Sequence, residues 1–159
     1  MAHDGSVSIR PARSGDREWI LALAPRLHEF GPPPWRSRDV MDHAVTASID
    51  EGLTTPASDQ TVLIAEGADR EPLGFVHLHG ATDFHTGERH GHVSDIVVAP
   101  AAEGRGVGAA LMAAAEAWAR ARGFRLLSLH VFGENARARE LYERLGYRLD
   151  IVKMIKTLR

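Results

Sequence analysis

Apolar and polar positions alternate along the chain in two periods, which predict strands and helices in turn. A period of two residues indicates strands, and a spacing of three to four residues indicates amphipathic helices. Pro25 interrupts the apolar stripe of the first helix and is expected to split it. Ser37 is placed to cap the second helix, whose packed apolar face is predicted to include Val40 and Ile49. The predicted elements, in order, are a strand over 7–11, helices over 16–30 and 38–51, strands over 61–66, 72–79 and 93–98, a helix over 109–122, a strand over 126–132, a helix over 135–145, and one or two final strands over 147–157.

This order predicts an α/β protein with a mixed sheet and helices on both of its faces. The 159 residues are enough for one domain with a proper core, so we expect a single domain over 1–159. The sequence contains no evident internal repeat. The segment Gly80–His90 is polar and glycine-spaced, and it is predicted to be a connection between strands.

The stretch from Val93 to Met112 organises the chain, because it joins a buried strand, a glycine-rich turn and a long helix. Gly104, Gly106 and Gly108 alternate, so no side chain blocks a close approach to the backbone there. The free N–H groups of the helix that follows would point out of this turn, with the positive end of the helix dipole behind them. The pattern predicts an anion site, most simply for a phosphate or pyrophosphate, and Arg105 adds a positive charge.

The segment Gly104–Ala109 also matches the dinucleotide-binding pattern G-x-G-x-x-G/A. Three features argue against that interpretation. The turn begins about two-thirds of the way along the chain, which leaves too little sequence for a doubly wound sheet. The link after Pro100 is too long, and no acidic residue ends the next strand at the ribose-binding distance. A P-loop is excluded because no Lys-Ser or Lys-Thr follows the glycines.

The arrangement resembles the acyl-CoA-dependent N-acetyltransferases of the GNAT superfamily. Val98-Ala99-Pro100 matches the family's strand end, and Gly106 and Gly108 match its loop, although Glu103 stands where Gln or Arg is usual. Asn135–Ala138 and Leu141–Tyr147 resemble the second signature. The resemblance implies a mixed, largely antiparallel sheet with splayed central parallel strands and helices on both faces. It is specific over 93–147 and almost absent over 31–90.

If the resemblance holds, the co-substrate is acetyl-CoA, its pantetheine arm lies along the splayed strand and its pyrophosphate on the loop. The implied cofactor-binding residues are Ile96, Val97, Val98, Glu103, Gly104, Arg105, Gly106, Val107, Gly108, Ala109, Asn135 and Ala138. Tyr142 matches the tyrosine that protonates the departing thiolate, although its position on an apolar helix stripe also suits a core residue. A carboxylate at Glu103 would repel the pyrophosphate if its side chain takes part in binding.

The general base is left open among three residues. Asp95 lies in the splayed strand, where it serves either as a base or as a structural carboxylate. His92 and His79 are alternatives, because the ordinary pKa of histidine suits proton transfer near neutral pH. The pairs His77/His79 and His90/His92 have a spacing that zinc ligands can have, but no carboxylate completes a recognised motif. We therefore expect solvated or acceptor-site histidines, and no metal.

Composition narrows the function classes. There is no cysteine, which excludes a disulfide framework, a thiolate metal site and a cysteine nucleophile. The net charge of −2 gives no reason to expect nucleic-acid binding. No apolar run approaches transmembrane length and no secretory signal pattern is present, so a cytoplasmic location without a membrane partner is expected.

The resulting hypothesis is transfer of acetyl from acetyl-CoA to a primary amine by direct attack in a ternary complex. The acceptor is left open between a small-molecule amine and a peptide or protein N-terminus. A longer acyl donor is also compatible, and a non-catalytic acyl-CoA sensor is the alternative outside enzymes. Dimerisation is common in such folds, but the sequence shows no interface for a homodimer.

Overall fold

A computed structural model of the chain describes residues 5–158. Its single sheet follows the order of the sequence: β1 (Ser8–Pro11), β2 (Gln60–Glu66), β3 (Pro72–Thr82), β4 (Arg89–Val98) and β5 (Leu127–Leu129). Strands β1 to β4 pair antiparallel, and β5 lies parallel to β4. The predicted mixed and largely antiparallel sheet is therefore confirmed.

Four helices accompany the sheet: α1 (Arg17–Leu23), α2 (Arg38–Thr54), α3 (Val107–Ala121) and α4 (Ala136–Arg144). The first helix changes into a 3₁₀ turn over Ala24–His28, as Pro25 predicted. Ser37 caps α2, where its Oγ accepts a hydrogen bond from the backbone N–H of Val40 at 3.4 Å. None of the helices within residues 5–158 has both the length and the hydropathy needed to cross a membrane.

Each face of the sheet has its own apolar core. On one face Ile20 and Ile49 pack against Ile64, Phe75 and Val97 of the strands. The opposite face is covered by α3 and α4, and its cluster includes Val76, Leu78, Val93, Leu111, Met112, Ala115 and Tyr142. The two cores place β4 between two packed layers, so its side chains alternate between the two sides of the molecule.

The connection predicted over Gly80–His90 is much shorter in the structure, because β3 and β4 form a long hairpin. The side chain of Asp83 makes the tight turn possible. Its Oδ1 accepts hydrogen bonds from the backbone N–H groups of His85 and Thr86 at 2.9 and 2.8 Å. Such an Asx turn replaces the backbone bonds that a strand end leaves unpaired.

Three other predictions differ from the structure. The strand predicted over 126–132 pairs only over Leu127–Leu129, because the chain then diverges from β4. The final strands predicted over 147–157 are absent, since within the described chain this segment has no strand beside it. Val40 was predicted on the packed face of α2 and is 67% exposed, because the buried residues of that helix, Ile49 and Gly52, lie near its other end.

Candidate active site

The glycine-rich turn ends in an uncapped helix terminus. Gly104 and Gly106 have φ angles of +74° and +76°, a region that residues with a Cβ adopt at a cost. Gly106 is the N-cap of α3, and it has no side chain to accept from the first N–H groups of the helix. The first hydrogen bond of the helix is donated by the N–H of Ala110, which lies 3.0 Å from the carbonyl oxygen of Gly106. The amides of the first turn are therefore free to donate hydrogen bonds to a ligand.

Glu103, the departure from the expected pattern, is held between two arginines. One carboxylate oxygen accepts from Arg137 at 2.9 Å, and the other accepts from Arg26. Hydrogen bonds from Arg137 and then from Arg26 hold the pKa of the Glu103 carboxyl below its ordinary value. Arg26 also lies 3.5 Å from the carboxylate of Glu29, so the cluster carries two negative and two positive charges. The charge of the Glu103 carboxylate is thus balanced by the arginines, which weakens the repulsion that the sequence suggested.

Arg105 takes no part in this cluster. Its guanidinium lies 4.0 Å from the carboxylate of Glu71, and both side chains are more than 40% exposed. An exposed contact at that distance is weak. Arg105 is therefore free to turn towards a ligand on the loop.

Strand β4 separates from β5 beside this loop. The two strands pair only where Gly91–Val93 faces Leu127–Leu129, while β4 continues for five more residues to Val98. A register shift precedes the opening: Leu78 pairs with Val93 and His77 pairs with Asp95, so Ser94 is an extra residue in β4. A bulge of this kind bends a strand and leaves backbone groups unpaired. Along 94–98 the β5 side of the backbone is open to an extended ligand.

The residues expected along the splayed strand divide between the two faces of the sheet. Ile96 and Val98 contact the cluster under α3 and α4, whereas Val97 is buried in the cluster under α1 and α2. Val97 therefore supplies only backbone groups to the opening.

Tyr142 lies in the core under α4, in the same cluster as Ile96, Val98 and Leu129. It is 8% exposed, and burial raises its pKa to about 12. Among the described residues its hydroxyl has no hydrogen-bond partner, and it is not one of the fully enclosed polar atoms. A protonated and unpartnered hydroxyl beside the opening has the chemistry that a proton donor requires.

The start of α4 is fixed by Asn135. Its side chain accepts a hydrogen bond from the backbone N–H of Ala138 at 3.2 Å, which is an ordinary N-cap. Gly108 allows α3 to approach this helix, since a Cβ at that position would lie 3.2 Å from Cδ2 of Leu141. The two helix N-termini, with Gly106 and Asn135 as their caps, therefore belong to one packed unit.

Three imidazoles form a row across β3, β4 and the end of β5, on the α1/α2 face of the sheet. The ring centres of His79 and His92 lie 5.1 Å apart, and those of His92 and His130 lie 4.9 Å apart. His92 Nδ1 is 2.8 Å from Ser128 Oγ. Burial, helped by the neighbouring histidines, lowers the pKa of His92 to about 4. The central ring is therefore neutral at pH 7.

Asp95 lies on the same face but is enclosed. Its Oδ2 is 2.9 Å from Nδ1 of His77, which is only 1% exposed. The other ring nitrogen of His77 lies 2.8 Å from the amide nitrogen of Gln60, so the amide donates to Nε2 and Nδ1–H donates to Asp95. A Cβ on Gly52 would approach this ring to 2.7 Å, so α2 covers the group closely.

Sequence reasoning missed His130 and the His77–Gln60 bond. His130 follows β5, and its proximity to His92 depends on the parallel register, which no local pattern reveals. An aromatic group was also missed: Phe132 lies 5.2 Å from Phe30, and Arg36 lies 5.7 Å above the Phe132 ring. This group links the segment after β5 to the loop before α2. Across residues 5–158, no group of three or more carboxylate and histidine side chains is arranged to hold a metal ion.

The structure thus brings together an uncapped helix terminus, an open edge between two parallel strands, and titratable side chains on both sides of that edge. Tyr142 is on the α3/α4 side, and the histidine row is on the α1/α2 side. This arrangement is that of an acyl-group transferase.

Comparison with known proteins agrees with this class. Residues 24–147 match the model of the acetyltransferase (GNAT) family. The chain is 34% identical over 144 residues to the uncharacterised N-acetyltransferase YhfO of Bacillus subtilis, which covers 91% of each chain. It is also 34% identical over 98 residues to the streptothricin acetyltransferase of Streptomyces lavendulae. This alignment covers 62% of the chain and half the length of that relative. The chain belongs to the GNAT acetyltransferase family, and it is an acyltransferase.

Solved structures share the fold. A putative acetyltransferase from Pyrococcus furiosus superposes with a TM-score of 0.77 at 25% identity, covering 96% of this chain and all of the other. The aminoglycoside N-acetyltransferase AAC(6′)-Iy, determined in complex with CoA, superposes with a TM-score of 0.75 at 23% identity, covering 100% and 99% of the two chains.

The lowered pKa of His92 predicts a pH-dependent contribution to stability. Its pKa falls from 6.5 in the unfolded chain to about 4 in the folded one, so the folded state binds fewer protons between these values. This contribution is complete above pH 6.5 and is lost as the pH falls towards 4. The unfolding free energy of the wild type should therefore fall between pH 6.5 and 4. We expect this fall to be smaller in His92→Gln, by at most about 2 kcal/mol, because the ring is partly accessible to solvent.

The measurement is urea unfolding at pH 4 to 7 for the wild type, His92→Gln and His85→Gln. His85 is an exposed residue of the β3–β4 turn, so its variant should keep the wild-type pH dependence. Equal pH dependence in all three proteins would show that His92 titrates normally.

Proposed function

We propose that this chain transfers the acetyl group of acetyl-CoA to a primary amine of a small molecule, by direct attack within a ternary complex. The observation that carries this proposal is the opening of β4 from β5 beside the uncapped N-terminus of α3. An extended thioester with a pyrophosphate fits that combination of an unpaired strand edge and an anion site. The CoA complex of the similar aminoglycoside N-acetyltransferase supports the same choice of ligand.

Donor binding is assigned to three groups of residues. The backbone of Ile96, Val97 and Val98 would pair with the pantetheine arm, as one strand pairs with another. The loop over 103–109 would hold the pyrophosphate on its amides, with Arg105, Arg137 and Arg26 around it. Asn135 and Ala138, at the start of α4, would border the arm on its other side.

The chemistry requires one proton to leave the amine and one to reach the sulfur. The amine nitrogen attacks the thioester carbonyl, the carbon–sulfur bond breaks, and an amide and a thiolate form. Tyr142 would give its proton to the thiolate, and its pKa of about 12 keeps it protonated until then. The resulting tyrosinate regains a proton from solvent before the next turnover.

His92 is the base that the geometry favours. When its Nδ1–H donates to Ser128, the Nε2 lone pair remains available. Its low pKa makes it a weak base, but the exposed His130 next to it offers an onward path for the proton to solvent. His79 lies on its other side. Asp95 is the second candidate; its bond to buried His77 favours a positioning role for this carboxylate, which would hold β3 and β4 together at the bulge.

A small amine acceptor is supported by charge and by the relatives. Acidic residues outnumber basic ones over 1–99, the part of the chain that forms the α1/α2 side, and this suits a cationic acceptor. Streptothricin acetyltransferase and an aminoglycoside N-acetyltransferase are named for small acceptors of this kind. Trp35, 49% exposed in the loop before α2, is placed to contact such a molecule.

Thermal unfolding with added ligands tests the donor. A ligand that binds only the folded state stabilises it by about 2.7 kcal/mol at a hundred times its Kd. We expect acetyl-CoA and CoA to raise the midpoint by about 5–10 °C, and NADH and ATP to leave it nearly unchanged. A rise with NADH and none with CoA would contradict the proposal and restore the dinucleotide interpretation.

Tyr142→Phe tests the acid. We expect kcat to fall about 10²–10³-fold with little change in the KM for acetyl-CoA, because only proton donation is lost. The measurement is release of free thiol with a panel of amines. Tyr147→Phe is the matched control: the other tyrosine of the chain, it lies 6.1 Å from the Tyr142 ring and bonds Glu116 instead.

Equal turnover in Tyr142→Phe and Tyr147→Phe would remove Tyr142 from the mechanism. The same assay separates the base candidates, since His92→Gln should lower kcat while Asp95→Asn should mainly lower stability. Turnover with peptide N-termini and none with small amines would identify a peptide acetyltransferase. CoA binding without turnover of any amine would identify a sensor.

Glu103→Gln tests the charge cluster. The substitution keeps the shape of the side chain but frees Arg137 to face the phosphates, while Arg26 keeps its contact with Glu29. We expect CoA to bind about fivefold more tightly, which is the size of one exposed ion pair, with a steeper salt dependence. Isothermal titration at two salt concentrations measures both effects.

The matched control is Glu134→Gln, which removes an acid that makes no ion pair among the described residues and precedes α4, the helix that carries Arg137. Weaker CoA binding in Glu103→Gln alone would show that the carboxylate is needed to position the arginines. Equal tightening in both variants would assign the effect to net charge.

A further inference from the structure

Two aromatic rings form a wall beside the opening of the sheet. Phe132 lies in the segment that diverges from β4 after β5, and its carbonyl accepts a hydrogen bond from the N–H of Asn135, the N-cap of α4, at 3.0 Å. Phe30 lies against it, with 5.2 Å between the ring centres and 30° between the ring planes. Both side chains are half-buried, so each keeps part of its surface towards solvent. We refer to Phe30 and Phe132 as the aromatic platform.

A buried histidine holds the platform in place. His28 is 4% exposed and meets the ring of Phe132 edge to face, with 6.5 Å between the ring centres. Its Nδ1 lies 2.6 Å from Oδ1 of Asp42 on α2, which fixes the orientation of the imidazole. The ring of Phe132 is therefore fixed between the segment after β5 and helix α2 before any ligand binds.

The platform already carries a positive charge. The guanidinium carbon of Arg36 lies 5.7 Å from the centre of the Phe132 ring. Within residues 5–158 this guanidinium makes no ion pair and no hydrogen bond, although Arg38, two residues further on, lies 3.5 Å from the carboxylate of Asp42. A guanidinium that stays over an aromatic face without an acidic partner is held by the attraction of the ring for positive charge. The position above Phe132 is therefore suited to a cation.

This cation position is close to the proposed base. His130 is two residues before Phe132, and its ring centre lies 4.9 Å from that of His92. Since two residues span at most about 7 Å, the platform and His92 are separated by on the order of 10 Å. The contacts of Phe132 with Phe30 and His28 place it on the α1/α2 side, where the histidine row also lies. An amine that reacts beside His92 can therefore present a second group to the platform.

We propose that the aromatic platform binds a second cationic group of the acceptor, and that Arg36 occupies this position until the acceptor arrives. The inference rests on the proposed function and narrows the acceptor class to amines with a further cationic group on the order of 10 Å from the reacting nitrogen. Arg36 is exposed in the loop before α2, so it can leave the ring without disturbing the core. A neutral group does not replace it, because only a cation gains the same attraction to the ring.

Acetyl transfer to two acceptors of equal chain length tests the platform. Aminooctyl-trimethylammonium and aminooctanol each have one primary amine, but only the first ends in a positive charge. We expect the wild type to prefer the trimethylammonium acceptor about three- to fivefold in kcat/KM, which is the size of one exposed cation–π contact. Arg36→Gln should increase this preference by a similar factor, because the competing guanidinium is gone. Phe132→Leu should abolish it.

Arg122→Gln is the matched control for the loss of a guanidinium. Arg122 lies 4.6 Å above the ring of Trp118 at the end of α3, in another cation–π pair of the described chain. Its variant should keep the wild-type preference. A smaller preference in Arg36→Gln would overturn the proposal, because the guanidinium would then be a contact for the acceptor and not its competitor. An unchanged preference in a folded Phe132→Leu protein would overturn it as well.

A binding measurement separates this inference from the proposed function. Octamethylene-bis(trimethylammonium) has no N–H to acetylate, so calorimetry detects its binding without any transfer. We expect Arg36→Gln to bind it about three- to fivefold more tightly than the wild type, and Phe132→Leu to bind it more weakly. This binding pattern without turnover of any amine would contradict the proposed function and support the platform as a cation site. Turnover of aminooctanol without binding of the bis-cation would overturn the platform alone.

Discussion

The divergence of β4 from β5 is the constraint on which the rest of the molecule depends. The two strands are held together only at Gly91–Val93, where the missing side chain of Gly91 allows close packing: a Cβ there would lie 3.0 Å from Leu127 and 3.1 Å from Trp118. Beyond this joint, Ser94 is the extra residue that bends β4. A sheet normally pairs every interior strand on both sides. Here the unpaired length of β4 is enclosed by two cores, so a ligand that completes the pairing gains backbone bonds at a site already formed.

The surroundings of this opening explain how an acidic residue is tolerated in the phosphate loop. Glu103 bonds Arg137 from α4 and Arg26 from the turn after α1, so it connects three parts of the chain that are distant in sequence. Its pKa is lowered by the same contacts, and it stays ionised over the physiological range. The carboxylate thereby holds the two guanidinium groups in place, and with Glu29 3.5 Å from Arg26 the cluster as a whole is balanced in charge. Positive charge is stored near the site without the mutual repulsion of two unpaired arginines.

The local sequence was sufficient to predict a feature wherever the backbone conformation at that position requires a particular type of residue. The left-handed Gly104 and Gly106, the Asn135 cap and the split at Pro25 were all predictable, because each follows from the geometry of a few neighbouring residues. Local sequence was insufficient where pairing across strands decides the outcome. The enclosure of Asp95 by His77 depends on the bulge in β4, and the contact of His92 with His130 depends on the parallel register. The final strand was predicted wrongly for a different reason. The segment over 147–157 has the apolar pattern of a strand, but no strand of the described chain lies beside it.

The residues proposed for the donor and for the acceptor lie on different sides of the sheet. Tyr142 and the loop over 103–109 lie on the α3/α4 side and belong to residues 93–147, whereas the loop with Trp35, helix α2 and His79 lie on the opposite side and belong to 31–90. Under the proposed function, a constant donor would place strict requirements on the first region, because amides and one hydroxyl would have to meet fixed atoms. The second region would meet only the acceptor. Changes to Trp35 would then alter which amine enters, while the sheet opening and Tyr142 stay as they are.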